Sequence, residues 1–310
     1  MPLTSPKTHT LRIALTERCT LRCAHCSGGG YADTSLPYDE VIRIVRMAVS
    51  MGVRYVHLTG GEPLLYGDLI PLCETLSSLD GLREVTLCTN GTFLRRFART
   101  LRKTGLHSVE IGIPTLDSTR YRNFTSGGSL ADAIDGLRAA AEAGFFPIRI
   151  GTVLIDGVND DEITTFVNLT RNDPLEIRFY ELVGVGCAQR LVRAAFLPRD
   201  LVLRTLPELI PLPYMIGKGE LYCLPEATGK VALIASPKTA LHAADGVLRL
   251  TADGFLKPTA DSKQEFFARR LSDEQLQMQL LRAMTYTEPE EDAALYVSPQ
   301  DERDMIRIGG

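Results

Sequence analysis

The sequence lacks the long apolar runs and the charge imbalance that mark several classes of protein. No stretch approaches the ~18 consecutive apolar residues of a membrane-spanning helix, so no such helix is predicted. Residues 1–10 contain no apolar core, which argues against a secretory signal peptide and favours a cytoplasmic protein. The 34 basic and 38 acidic side chains give a formal net charge of −4, so a nucleic-acid-binding surface is not expected either.

Cysteine is scarce as well, and three of the 7 cysteines lie in one short segment, Cys19-Thr-Leu-Arg-Cys23-Ala-His-Cys26. Three thiolates on one tight loop can each bind one iron of a [4Fe–4S] cube, which leaves the fourth iron open to chemistry. Two other interpretations remain open, namely a zinc site completed by His25 and a set of buried thiols. The scattered cysteines are expected to be small buried apolar side chains: Cys73, Cys88, Cys187 and Cys223.

Residues 1–183 alternate short strand-like runs with longer helix-like runs. This alternation predicts an α/β fold, a partial (β/α)6 barrel of TIM type in which helices wrap a parallel sheet. The cysteine segment and a turn at Gly60–Pro63 each follow a strand, so both are expected at the carboxyl edge of the sheet, where such barrels hold their active sites. The strand candidates are 11–15, 54–58, 83–88, 107–113, 147–154 and 175–181, and the helix candidates are 37–51, 68–78, 93–104, 129–143 and 160–171.

The alternation fails after residue 183, and residues 184–230 show no clear period. Strands are predicted at 231–234 and 246–251, the second followed by a hairpin turn at Asp253-Gly254. Ser272 and Gln275 form a capping-box pair that predicts a final helix. We therefore expect a partial barrel over 1–183 and a C-terminal region over 184–310 that covers the substrate and ends in a Gly-Gly tail.

A second motif, Thr59-Gly-Gly-Glu-Pro-Leu-Leu65, follows the second strand candidate. A Gly-Gly turn at a strand end lets backbone approach a ligand closely. Together with the Cys-x3-Cys-x2-Cys segment, this motif resembles the radical S-adenosylmethionine (SAM) superfamily. The resemblance implies that Cys19, Cys23 and Cys26 hold one [4Fe–4S] cluster and that SAM chelates its open iron. Cleavage of SAM would then give a 5′-deoxyadenosyl radical that abstracts hydrogen from a substrate.

The same resemblance implies the residues that contact SAM. His25 occupies a position where the superfamily usually places an aromatic ring near the adenine, although a loop histidine without a ligand role is the alternative. Gly112 stands where a serine is expected, so part of that contact must come from backbone or from elsewhere. The implied SAM contacts are His25, Gly60, Gly61, Glu62, Pro63, Thr89, Asn90 and Gly112.

Over nearly its whole length the chain resembles, more narrowly, the GTP 3′,8-cyclases of molybdenum-cofactor biosynthesis. That family ends in a diglycine which reaches into the active site, and this implies a role for Gly309 and Gly310. The segments that carry the resemblance are 11–13, 58–65, 89–91, 151–160, 177–179, 248–254 and 308–310.

The chain also departs from that family. Three C-terminal cysteines that hold a second cluster in the cyclases are His242, Asp245 and Thr259 here, so a second cluster is not expected. Arg12 and Arg249 keep family arginines and Arg149 replaces a lysine, but other basic positions are lost, and a triphosphate needs several fixed cations. The lost basic positions are occupied by Tyr66, Gly67 and Val247. The expected substrate is therefore not GTP.

These expectations describe a radical SAM enzyme of lyase or oxidoreductase type that uses one cluster and acts on a small nucleoside, nucleotide or sugar-acid. Enzymes of nucleoside-antibiotic pathways, such as cytosylglucuronate decarboxylases, are similar. An electron donor such as flavodoxin or ferredoxin is expected as partner. A GTP cyclase with an altered guanine site and a non-catalytic Fe–S or nucleotide-binding protein remain as alternatives.

No general acid or radical quencher is assigned from the sequence. The arginines are expected to grip one carboxylate or phosphate, although Arg178 alternatively pairs with Glu176 or Glu181. The expected substrate contacts are Arg12, Tyr66, Arg149, Arg178, Arg249, His242, Asp245, Gly309 and Gly310.

Overall fold

The computed structural model describes residues 9–26, 33–185, 188–216, 219–235 and 246–286. The strands in these residues are β1 Thr10–Ala14, β2 Tyr55–Thr59, β3 Glu84–Thr89, β4 Ser108–Gly112, β5 Ile148–Leu154, β6 Leu175–Glu181, β7 Ile210–Ile216, β8 Gly219–Cys223, β9 Lys230–Ile234, β10 Val247–Leu250, β11 Phe255–Lys257 and β12 Phe266–Phe267. The α-helices are α1 Tyr38–Ser50, α2 Leu69–Ser77, α3 Leu94–Lys103, α4 Ser118–Phe124, α5 Leu130–Glu142, α6 Ile163–Asn168, α7 Ala188–Ala195, α8 Asp200–Thr205 and α9 Asp273–Thr285.

All of these strands belong to one mixed sheet in the order β12-β11-β10-β1-β2-β3-β4-β5-β6-β9-β8-β7. The strands from β10 through β1–β6 to β9 run parallel, and the outer strands are antiparallel. The six predicted strand–helix units are therefore confirmed as a partial barrel of α/β class. Strands β9 and β10 extend the barrel by one parallel strand at each edge. The division of the chain into two regions at residue 183 stays a prediction.

The two faces of the sheet differ in chemistry because successive strand residues point to opposite sides. Apolar residues such as Leu11, Val56 and Ile150 are fully buried and share one core with helix residues such as Val41. Parallel strands joined by right-handed crossovers put their helices on one side of the sheet. The residues that alternate with the apolar ones, which include Arg12 and other polar side chains, therefore line the inner face of the partial barrel.

Local sequence signals outside the barrel strands are also confirmed. The capping box joins Ser272 and Gln275 in both directions, with N–O distances of 3.0 and 3.3 Å, and begins α9. Strands β10 and β11 form the predicted antiparallel hairpin. The helix predicted at 160–171 is instead a 3-10 turn at Asp160–Glu162 followed by the short α6. The sequence did not predict α4, nor α7, α8, β7 and β8, which lie in its unassigned stretch.

None of the helices in the described ranges combines the length and the hydropathy that crossing a membrane requires.

Candidate active site

The cysteine loop leaves the carboxyl end of β1 and rests on the end of α4. The backbone N–H of Arg22 donates to the carbonyl oxygen of Thr125 at 3.1 Å, and that of Ala24 donates to Phe124 at 3.0 Å. Cys19, Cys23 and Cys26 are all partly exposed. The loop is thus fixed by backbone hydrogen bonds, while its three thiols remain accessible to a ligand at the sheet rim.

The donor set fits a cluster better than a single metal ion. In the described part of the chain no three His, Cys, Asp or Glu side chains are arranged to hold one metal ion. His25 instead stacks its ring on Phe124, with centroids 5.3 Å apart and an interplanar angle of 17°. Each thiolate of a cubane cluster binds a different iron, so the three sulfurs need not converge on one point. This geometry disfavours the zinc interpretation.

The surroundings of these thiols favour the protonated form, so a nearby cation is needed to stabilise the thiolates. Burial raises the pKa of Cys23 to about 12, and burial likewise raises the pKa of Cys19. Bound metal inverts this preference because a coordinated thiol is deprotonated outright. Two buried polar atoms near the loop, the Nδ1 of His25 and the hydroxyl of Tyr121, make no hydrogen bond within the described residues. Both observations fit a loop that is completed by a bound group.

The Gly-Gly-Glu-Pro motif packs directly against the start of the cysteine loop. The N–H of Gly61 donates to Thr16 O at 2.6 Å, and the N–H of Glu62 donates to Arg18 O at 2.7 Å. Gly60 has a φ of +139°, and a Cβ built there would lie 2.5 Å from Thr16 O. A Cβ on Gly61 would overlap the Arg18 carbonyl oxygen. The two glycines therefore allow the backbone of Thr16 and Arg18, which precede Cys19, to pack directly against the motif.

Replacing Gly61 with alanine is expected to displace this loop contact and to lower both the free energy of unfolding and the iron content. Overpacking against backbone that cannot move costs about 1–3 kcal/mol. Gly67→Ala is the matched control, because a Cβ at Gly67 would have no neighbour within 4 Å. Urea unfolding and iron analysis of both variants check the prediction, and equal behaviour of the two would contradict it.

Glu62 connects the motif to the end of β3. Its buried carboxylate accepts from Thr89 Oγ1 at 2.6 Å, from Leu64 N at 3.0 Å and from Asn90 N at 2.9 Å. Burial raises the pKa of Glu62 although these three hydrogen bonds oppose the rise. The carboxylate is thus engaged within the chain, and it fixes Asn90 beside the cysteine loop.

Asn90 reaches across to that loop. Its Nδ2 lies 3.3 Å from Thr20 Oγ1 and 3.9 Å from Cys19 Sγ. Its Oδ1 accepts from both the N–H and the hydroxyl of Thr92, which orients the amide so that Nδ2 faces the sulfur. The N–H groups of such an amide can donate to a cluster thiolate.

The rim is open at Gly112, where a serine was expected. Gly112 ends β4, is exposed, and lies beside Gly151 of β5 in the register of the sheet. A Cβ on Gly112 would approach no atom closer than Thr89 O at 3.8 Å. Gly112 therefore leaves space at the end of β4, while a contact of Gly112 with SAM stays a prediction.

The four arginines expected to bind substrate lie on the inner face of the sheet, but carboxylates occupy two of them. Arg178 donates through Nε to Glu176 at 2.6 Å and through Nη1 to Glu110 at 3.0 Å. Tyr180 donates its hydroxyl to Glu110 at 2.7 Å. Glu176 is one of the two alternative partners considered for Arg178, and Glu110 was not foreseen.

Arg149 and Arg12 belong to the same interior network. Arg149 pairs with Glu84 at 2.6 Å and approaches Glu176 at 3.6 Å. Burial opposes ionisation of Glu84, but the Arg149 charge outweighs it and holds the pKa of Glu84 at about 2. Nη1 of Arg12 lies 3.8 Å from the Sγ of Cys88. The expectation that Cys88 is a small apolar side chain is therefore wrong, because its sulfur lies on the polar face.

The edge of the inner face carries further charge. Arg249 lies beside Arg12 in the sheet register and beside Lys257 of β11. Lys257 is 1% exposed and pairs with Glu265 at 3.6 Å. Burial and the charge of Arg12 lower the pKa of His57 to about 3, so this inner-face imidazole is neutral at physiological pH.

Sequence reasoning missed the interior carboxylates, yet a signal was present. Buried strands of parallel sheets are normally apolar on both faces. Here charged or polar residues alternate with apolar ones in β3, β4 and β6, as in Ser108-Val-Glu-Ile111, which indicates a polar interior. The missed interior residues are His57, Glu84, Cys88, Glu110, Tyr180 and Lys257.

The remaining predicted contacts lie elsewhere or outside the described residues. Tyr66 is 7% exposed, and its hydroxyl donates to Leu36 O at 2.8 Å, so that group is engaged within the chain. Cys73 is buried in the main core, as expected, whereas Cys223 is partly exposed. Cys187, His242, Asp245, Gly309 and Gly310 lie outside the described residues.

A comparison with protein families decides the class of this site. The family model described as the radical SAM superfamily matches residues 13–170, which include the end of β1, the cysteine loop, the Gly-Gly-Glu-Pro motif and β2–β5. The chain belongs to the radical SAM superfamily. Radical SAM enzymes use a [4Fe–4S] cluster and SAM, and the predictions of an enzyme and of these two cofactors are confirmed on that ground. The family membership also sets aside the non-catalytic alternative.

Individual relatives agree with this assignment. The radical SAM chain is 33% identical over 319 residues to a GTP 3′,8-cyclase of Alkaliphilus oremlandii (strain OhILAs), with 99% of each chain covered. It is 36% identical over 253 residues to a GTP 3′,8-cyclase of Pelotomaculum thermopropionicum, with 78% of each chain covered. The predicted resemblance to the cyclases is therefore confirmed.

The fold of this radical SAM enzyme is also similar to solved structures. Streptococcus suis SuiB bound to S-adenosylmethionine matches with a TM-score of 0.64 and 16% identity. The match covers 86% of this chain and 64% of that one, so the chain spans less than two thirds of SuiB. At this identity the likeness shows the fold alone.

Proposed function

We propose that this radical SAM enzyme acts on a small nucleoside, nucleotide or sugar-acid through a single cluster, and that GTP is not its substrate. The pairing of inner-face arginines with carboxylates carries the proposal. In the described residues Arg149 pairs with Glu84 and approaches Glu176, and Arg178 pairs with Glu110 and Glu176, so carboxylates already neutralise two of the arginines. A triphosphate needs several fixed cations, whereas a single carboxylate or phosphate needs fewer.

The mixed signs of these groups also suit a polyhydroxylated ligand. Carboxylates accept hydrogen bonds from sugar hydroxyls, and guanidinium groups donate to carboxylate or phosphate oxygens. Glu110, Arg178 and Tyr180 form one connected cluster on β4 and β6, and Glu110 lies two residues before the open position at Gly112. A nucleoside or a sugar-acid presents both kinds of partner in one molecule.

In the proposed mechanism the protein positions the substrate and shields the radical from water. The cluster and SAM together supply the 5′-deoxyadenosyl radical when they are bound. Cys19, Cys23 and Cys26 would hold the cluster, and Glu62 keeps Asn90 and the motif backbone in place around it. The inner face would bind the substrate and exclude water from the radical. An electron donor such as flavodoxin or ferredoxin would reduce the cluster.

A GTP 3′,8-cyclase activity is the second candidate, favoured by the relatives that carry this name. Metal content and turnover separate the two. With one cluster, anaerobically reconstituted protein should hold about four irons per chain, whereas a second cluster doubles this number. Incubation with SAM, a strong reductant and GTP should give no cyclised nucleotide, and deuterated nucleosides or sugar-acids should transfer deuterium into 5′-deoxyadenosine. Cyclised GTP together with about eight irons per chain would overturn the proposal.

A further inference from the structure

Tyr121 of α4 is fully buried, and its hydroxyl makes no hydrogen bond in the described part of the chain. Buried tyrosine hydroxyls normally have a partner, because an unpaired polar group is costly in a protein interior. None of the contacts described for the SAM motif or the interior arginines uses this group. The unpaired hydroxyl of Tyr121 therefore requires a hydrogen-bond partner other than the described residues.

The ring lies under the cysteine loop. A Cβ built on Gly128 would lie 3.1 Å from Cε1 of Tyr121 and 2.8 Å from Cδ2 of Leu21, so the phenol and the middle of the loop border one small space. Thr125 joins the two elements, because its N–H donates to Tyr121 O at 2.9 Å and its carbonyl oxygen accepts from Arg22 N at 3.1 Å. The cysteine loop cannot leave this position without breaking those backbone bonds.

The electrostatics agree with this placement. Burial raises the pKa of Tyr121 above its usual range, and the negative charges of Cys23, Asp132, Glu62 and Cys19 add to the rise. The hydroxyl therefore stays protonated and acts as a donor. Of the two carboxylates, Glu62 already accepts three hydrogen bonds and Asp132 is exposed, so neither takes the phenol proton. The other charged groups that act on the phenol are the thiols of Cys23 and Cys19.

We propose that the Tyr121 hydroxyl donates a hydrogen bond to a sulfur of the bound cluster on the side of Cys23, and thereby raises the reduction potential of the cluster. Hydrogen bonds to cluster sulfurs stabilise the reduced form, which carries one more negative charge. Asn90 offers a second donor, since its Nδ2 lies 3.9 Å from Cys19 Sγ. Tyr121 is thus a positioning and tuning residue, and the electron that reduces the cluster comes from the external donor.

Tyr121→Phe tests this because it removes one oxygen and keeps the ring. In the cluster-loaded protein we expect a roughly tenfold shift of the one-electron reduction equilibrium toward the oxidised form, which is ~59 mV. An EPR-monitored redox titration measures it. The cluster-free Tyr121→Phe protein should unfold at the same urea concentration as the parent or at a higher one, since its hydroxyl has no partner there. Tyr222→Phe is the control, because its hydroxyl bonds Glu220 at 2.8 Å on the distant β8, and no potential shift is expected.

A second replacement keeps the proposal testable if the phenylalanine variant loses its cluster. Site-specific 3-fluorotyrosine at position 121 keeps the ring and the hydroxyl but makes a stronger donor, so the potential should rise. Unchanged potentials in both variants, or shifts of the same sign, would overturn the proposal. A changed dissociation constant for SAM with an unchanged potential would also overturn it, because the hydroxyl would then bind SAM instead.

Discussion

Replacing Cys23 with alanine is expected to abolish the broad visible absorption of the reconstituted protein and its cleavage of SAM. Cys23 is the middle ligand of a loop whose backbone is fixed to α4, so no neighbouring thiol can take its place. Two remaining thiolates do not hold a cubane cluster. Both signals should fall to the background of metal-free protein. Anaerobic absorption spectra and detection of 5′-deoxyadenosine measure the outcome.

Cys223→Ala is the matched control for this experiment. Cys223 is also a free, partly exposed thiol, but it lies on β8 near the other edge of the sheet. Its removal should leave the spectrum and SAM cleavage unchanged. If the Cys23 variant kept both signals, the loop would not be the cluster site, and a loss in both variants would point to general thiol damage.

The second large effect is expected from Glu110→Ala, which should lower the free energy of unfolding by about 3–5 kcal/mol. Glu110 is 7% exposed and accepts from Arg178 at 3.0 Å and from Tyr180 at 2.7 Å. Burial opposes its ionisation, but the charges of Arg178 and Arg12 hold the pKa of Glu110 below its usual range. Removing the carboxylate leaves Arg178 with Glu176 alone and takes away a negative charge that acts on buried Arg12. Urea unfolding of the cluster-free protein at neutral pH measures the loss.

Two further variants serve as controls for the Glu110→Ala experiment. Asp161→Ala breaks a pair of 2.6 Å with Arg120 at the surface, where water and salt screen the charges, so it should change stability little. Adding Arg178→Met to Glu110→Leu removes both charges, and it should recover part of the loss because Glu176 keeps Arg149 as a partner at 3.6 Å. A Glu110→Ala effect no larger than that of Asp161→Ala would show that the interior is well hydrated.

The parts of this site that the sequence predicted are those fixed by short-range pattern. Cys19, Cys23 and Cys26 lie within one loop, and each of the strands β1–β6 has its own apolar periodicity. Both signals are local in sequence and can therefore be recognised without the structure. The capping box of Ser272 is local in the same sense.

Apart from Arg178–Glu176, which was one of the alternatives, the interior ion pairs were not predicted because they join residues distant in sequence. Glu110 and Arg178 are 68 positions apart and meet only because β4, β5 and β6 are neighbours in register. The hydroxyl of Tyr66 likewise meets Leu36 across 30 positions. The orphaned Tyr121 hydroxyl has no sequence signature, since α4 itself was not foreseen and only packing buries its ring.

Mössbauer spectroscopy of ⁵⁷Fe-reconstituted protein, recorded with and without SAM, tests the central assignment most directly. We expect about four irons per chain in one [4Fe–4S] cluster, and about one of them should change its isomer shift when SAM chelates it. A spectrum that ignores SAM, or protein that takes up zinc in place of iron, would contradict the assignment of the cysteine loop as a cluster site with an open iron.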